Sequence, residues 1–117
     1  MSAPGTHDIT IYKGATFRLP VVWKDSAGDP YNLTGYTARM QIRRSVGAAT
    51  AEVSLTSASG ITITPATGSI VAVISATDTS ALTIPSGVYD LELEDAAGVV
   101  TRLLEGSVTI SPEVTRA

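Results

Sequence analysis

Apolar and polar residues alternate with a period of two along most of this chain, the pattern that half-buried β-strands leave in a sequence. The clearest run is Thr16–Lys24, where Phe17, Leu19, Val21 and Trp23 share one face and Arg18, Pro20, Val22 and Lys24 the other. Tyr36–Arg43 repeats it, with Tyr36, Ala38, Met40 and Ile42 set against Thr37, Arg39, Gln41 and Arg43. Further strands are read at Ile9–Tyr12, Glu52–Thr56, Ile61–Thr64, Ser69–Ser75, Val88–Glu94 and about Val99–Ile110. Pro20 has no N–H to give to a ladder, so its strand is expected at a sheet edge or at a bulge. Lys13-Gly14 is expected to bend the chain at a bulge or a positive φ. In the last strand the adjacent pair Leu103-Leu104 breaks the alternation, and Gly106 is the candidate bulge. The one helical signal is Thr77–Leu82, a single turn with Thr77 or Asp78 as cap.

Seven to nine short strands at roughly 8–12-residue spacing, with turn residues between them, predict an all-β fold, an antiparallel β-sandwich. The core is expected to centre on Phe17, Trp23 and Tyr89. Domain organisation is read as a flexible arm over residues 1–7, the sandwich over 8–111 and a tail over 112–117. The stretch 45–83 is rich in Thr, Ser and Ala, but its alternation persists and it is read as ordered.

Composition fits one domain with its own core: 117 residues, 44% hydrophobic and only 16% charged. The net charge of −3 is the wrong sign for a general nucleic-acid binder. No apolar run approaches the ~20 residues of a membrane helix, and the first ten residues carry no secretory pattern. Synthesis inside the cell is the simplest reading. With no cysteine, disulfides and thiolate metal sites are excluded.

Candidate chemistry is sparse. His7 is the only histidine and lies in the N-terminal segment, a poor place for the rigid base of a nucleophilic triad. Asp25 and Asp29 bracket a turn that offers oxygens to calcium, without the spacing of an EF-hand; a solvated hairpin turn is the simpler account. Asp90, Glu92 and Glu94 fall opposite Tyr89, Leu91 and Leu93, on the wet face of their strand, and so do not form an acid pair around a substrate. Asn32-Leu33-Thr34 matches a glycosylation sequon inside a turn. Arg39, Arg43 and Arg44 give one strand a basic face, and Asp90 and Glu92 are the acidic complement, within one sheet or on a neighbouring copy. These five residues are the candidate interface, and Arg102 and Glu105 on the final strand are expected to be able to join the same network. No catalytic residue, cofactor or metal site is expected.

Three short motifs, Lys13-Gly14-Ala15-Thr16-Phe17, Leu33–Thr37 (LTGYT) and Gly87–Leu91 (GVYDL), together resemble the immunoglobulin-like domains of tailed-phage virion proteins, including the N-terminal domain of phage baseplate upper proteins. Tyr89, just after Gly87 at the start of the penultimate strand, looks like the tyrosine corner of immunoglobulin sandwiches. The resemblance covers nearly the whole chain. It implies a non-enzymatic structural part of a virion, assembled in the bacterial cytoplasm. Such a part would pack in several copies against tail, baseplate or head proteins, as a homo-oligomer and without nucleic acid or membrane contact. A capsid decoration protein and a host-surface carbohydrate-binding module are the alternatives.

Overall fold

The computed structural model describes residues 4–115. Among them, nine strands form two sheets that enclose one core. The strands are β1 (Gly5–Thr6), β2 (Ile9–Tyr12), β3 (Phe17–Val22), β4 (Thr37–Arg43), β5 (Val53–Thr56), β6 (Ile61–Thr64), β7 (Ser69–Ile74), β8 (Ser86–Glu94) and β9 (Val100–Ser111). The larger sheet has the order β1-β9-β8-β4-β5, with β2 also on β9, and the smaller has β3-β7-β6. All pairings between strands are antiparallel except those of β1 and β2 with β9. The fold is an all-β sandwich, as the alternation predicts.

Each sheet turns its apolar residues inward. Ala38, Met40 and Ile42 of β4 and Tyr89, Leu91 and Leu93 of β8 meet Leu19, Ile61, Ile70, Ala72 and Ile74 of the other sheet. Leu33, Leu82 and Ile84 close the core from the connections. Pro20 lies on an edge strand, where its missing N–H breaks no ladder.

Several expectations are corrected. Trp23 is not at the centre of the core. β3 ends at Val22, and Trp23 lies beyond it, partly buried and stacked on Tyr31 at 4.3 Å, with Tyr36 edge-on at 6.0 Å. Phe17 is likewise only partly buried, at the start of β3, and the apolar row it shares with Trp23 is fully buried only at Leu19. The bulge of β9 is not at Gly106: pairing shifts between Leu91/Leu104 and Glu92/Arg102, which leaves Leu103 as the extra residue. The helix is α1 (Ala76–Ser80), capped by Ser75, whose hydroxyl accepts from the Asp78 N–H at 3.2 Å. Residues 5–7 are not a free arm. Gly5 and Thr6 pair with Leu104 and Glu105, and the His7 N–H donates to the Glu105 carbonyl at 2.9 Å. Main-chain pairing needs no side-chain alternation, so so short a strand leaves no period to read. Of the expected arm, Met1–Ala3 lie outside the described residues, as does the end of the tail, Arg116–Ala117.

Gly14 has a positive φ of 84°, and a Cβ there would strike the Glu113 carboxylate. The bend it makes is held from below by Thr79, the one buried polar side chain among the described residues. Its hydroxyl accepts from the Gly14 N–H at 3.1 Å and donates to the Ala15 carbonyl at 2.9 Å, with the Ala76 carbonyl at 3.1 Å as the alternative acceptor. Thr79→Val keeps the shape but removes the hydroxyl that the Gly14 N–H and the Ala15 carbonyl share. It is expected to cost about 1–3 kcal/mol, because buried groups are left unpaired. Urea unfolding would read this as a lower midpoint with an unchanged slope.

Candidate functional surface: the outer face of the larger sheet

The outer face is built from the polar positions of β4 and β8, which lie side by side. Register places Arg39 opposite Glu92, Gln41 opposite Asp90 and Arg43 opposite Val88. The Arg39 guanidinium donates from Nε to Glu92 Oε1 at 2.8 Å and from Nη1 to Glu94 Oε1 at 3.1 Å. The Glu92 hydrogen bond holds the Arg39 pKa above its ordinary value. Arg102 of β9 lies 3.6 Å from Asp90 and 3.2 Å from Glu105. Burial pushes the Asp90 carboxyl up, the neighbouring Glu92 adds to this, and Arg102 opposes it. These pairs are half-exposed, so each contributes little stability, on the order of 0–1 kcal/mol. What they fix is which charge faces outward and where.

Arg43 acts differently. It donates to the Ala48 carbonyl at 2.9 Å and to Gln41 Oε1 at 2.9 Å, so it pins the loop between β4 and β5. Arg44 is exposed beyond the end of β4. Between that loop and β9 runs a groove of about 400 Å³, with Val88 and Gly106 among its lining and Arg43, Asp90, Arg102 and Glu105 around it. Val46, 88% exposed, borders it.

Thus Arg39 and Glu92 come together directly, Asp90 is met by Arg102 rather than by a β4 arginine, and Arg43 serves its own loop. The period of two gives the face of a residue but not its neighbour: Arg102 and Glu105 belong to the network by their face, and the register makes Arg102 the partner of Asp90.

Tyr89 is buried, but it makes no tyrosine corner. A corner tyrosine bonds to backbone a few residues upstream; the Tyr89 hydroxyl instead donates to the His7 carbonyl at 2.5 Å, 82 residues away. There the first strand crosses Gly106, and Asp8 Oδ1 accepts from the Ser107 N–H at 3.0 Å. That hydrogen bond holds the Asp8 carboxyl below its usual range. Burial, helped by the Asp8 charge, pushes the Tyr89 hydroxyl up to about 12. Its folded value therefore exceeds the usual tyrosine value near 10, so its contribution is complete below pH ~10 and is lost as pH rises toward 12. Tyr89→Phe is expected to lower neutral-pH stability by about 1 kcal/mol and to flatten this alkaline decline, measured by denaturant titration from pH 8 to 12.

The remaining candidates are turn residues. Asp25 Oδ1 accepts from the N–H groups of Ala27 and Asp29 at 2.9 and 3.0 Å, and Asp95 Oδ1 does the same for Ala97 and Val99, both at 2.9 Å. Both are side-chain-capped hairpin turns. Asn32 Oδ1 accepts from the Thr34 N–H at 3.0 Å and its hydroxyl at 2.6 Å, a local turn within the sequon. His7 is exposed, and it is its main-chain N–H and carbonyl that are engaged. Among the described residues, no group of three or more His, Cys, Asp or Glu is placed to hold a metal, and no helix is long and apolar enough to cross a membrane. No protein-family model matches the chain, and no curated protein matches it.

Proposed function

We propose that this chain is a non-enzymatic structural component of a phage virion, a tail or baseplate adaptor acting through protein–protein contacts in several copies. The observation that carries the non-enzymatic part is the pairing of the outer face: Asp90, Glu92 and Glu94 are each met by a guanidinium. Asp90, whose carboxyl burial pushes up, is held by Arg102 at 3.6 Å, so its shift belongs to a structural ion-pair network on an outer sheet face rather than to an acid–base pair around a substrate. The virion setting rests on the motif resemblance, and the strand order supports its immunoglobulin-like part. The orders β9-β8-β4-β5 and β3-β7-β6 are those that strands G-F-C-C′ and B-E-D take in such sandwiches. Genes for tail or capsid proteins beside its own, and a cryo-EM map of the particle with this fold at a defined copy number, are the expected results. A purified particle that lacks the protein overturns the proposal.

One observation favours a second reading, a host-surface carbohydrate-binding module. Trp23, Tyr31 and Tyr36 gather around the loops at one end of the sandwich, with Tyr31 39% exposed, and stacking on an aromatic face is a common way to hold an apolar or sugar ring. Titration of host-surface glycans against Trp23 fluorescence tests it: a saturable change supports sugar binding, and none up to millimolar glycan removes it.

A further inference from the structure

We propose that the outer face of the larger sheet is a homodimer surface on which two copies pack face to face, about a two-fold axis running along the strands between β4 and β8. This names the surface for the self-association in the reading above, and rests on that reading for its place in a particle. The occupant follows from charge. β4 carries Arg39 and Arg43 outward, while β8, beside it, carries Asp90, Glu92 and Glu94. A half-turn about the line between these two strands lays β4 of one copy over β8 of the other without shifting it along the strand. Arg39 then lies over the partner's Glu92, level with its own Glu92 partner, and each ion pair becomes part of a four-charge cluster. A basic stripe beside an acidic stripe is therefore complementary to itself, as an isologous interface requires.

The same rotation explains the groove. Val46 stands out at the end of β4 on a loop that Arg43 ties down. The half-turn carries this loop across β8 toward β9 at the level of Val88, where the groove lined by Val88 and Gly106 lies. A highly exposed valine and a groove that Val88 and Gly106 line between charged walls thus face one another twice in one symmetric contact. The face is small. Four strands about 4.8 Å apart and seven residues at about 3.3 Å give a footprint of roughly 450 Å², below the roughly 800 Å² per partner of a standard interface. The dimer is therefore weak for the free chain, and is strengthened where copies are held close together.

The test is sedimentation equilibrium of the full chain from micromolar to millimolar concentration, with thermal melts as the check on folding. A monomer–dimer equilibrium weakened by salt is expected. Val46→Asp, at an exposed loop position, should leave the melting temperature unchanged and raise the dissociation constant at least tenfold. Arg39→Glu should also weaken the dimer, and adding Glu92→Arg should restore it to within about threefold, since both charges exchange together. A chain that is monomeric at millimolar concentration overturns the proposal, and so does a dimer indifferent to Val46→Asp and Arg39→Glu. The latter places self-association elsewhere and leaves the virion reading standing. A dimer with these responses in a protein absent from any particle removes the virion reading and leaves the surface.

Discussion

Gly106→Ala is expected to strip the first strand from the larger sheet. The Cβ would sit against the His7 carbonyl, which is backbone, and close to Asp8 Oδ1, which the Ser107 N–H holds in place. The chain at His7 must therefore lift. As it does, it loses the Tyr89 hydroxyl, the Asp8–Ser107 contact and the adjoining main-chain pairs. Ile9 and Ile11 of β2 are 6% and 0% exposed, so a strand that shifts also uncovers core. Loss of one buried hydrogen bond costs about 1–3 kcal/mol, and partial exposure of two isoleucines at 1.5–3 kcal/mol each brings the total to about 4 kcal/mol. A domain of this size has only about 5–15 kcal/mol in all. Guanidinium unfolding gives the loss, and hydrogen exchange of the β2 amides locates it; full protection at Ile9 and Ile11 in the variant would refute the account.

The second large effect separates the observed core from the expected one. Leu91, in the middle of β8, is fully buried and pairs across the sheet with Met40 on one side and Leu104 on the other. Leu91→Ala is expected to cost about 3–5 kcal/mol, the range for a truncation that leaves a cavity among packed neighbours. Trp23→Ala, at a partly buried ring, is expected to cost only about 2 kcal/mol, mainly two aromatic contacts at about 0.5–1.5 kcal/mol each. Chemical unfolding of the two variants side by side gives the order. Were Trp23→Ala the more damaging, the strand end beyond Val22 would be contributing far more than its position allows.

The contrast shows what was legible in the chain. In β4 and β8 the alternation is uninterrupted and both strands are interior to their sheet, so Met40, Ile42, Leu91 and Leu93 are buried where the period puts them. The period also runs from Phe17 to Trp23, but the sheet does not: past Val22 the chain leaves β7, and an apolar residue without a facing strand keeps one side to solvent. Leu103-Leu104 did announce a bulge. Gly106, two residues on, lacks a side chain for another reason, the passage of the His7 carbonyl. Nothing local announces that passage, because it joins residues about a hundred positions apart. The outer face was readable as one basic and one acidic stripe, whereas the choice of Arg102 for Asp90 depends on a register that the bulge itself sets.

The parallel course of the first and last strands has a mechanical meaning. Gly5–Thr6 and Ile9–Tyr12 run beside Leu104–Ser111 in the same direction, so tension between the two chain ends pulls one strand backward and the other forward. Their hydrogen bonds then lie across the load and must yield together, instead of opening one after another as in a hairpin pulled from its free ends. The Tyr89 and Asp8 contacts sit midway along this seam and share the load. A pulling experiment through the termini should show a single high-force event governed by the unfolding barrier, and Tyr89→Phe should lower that force.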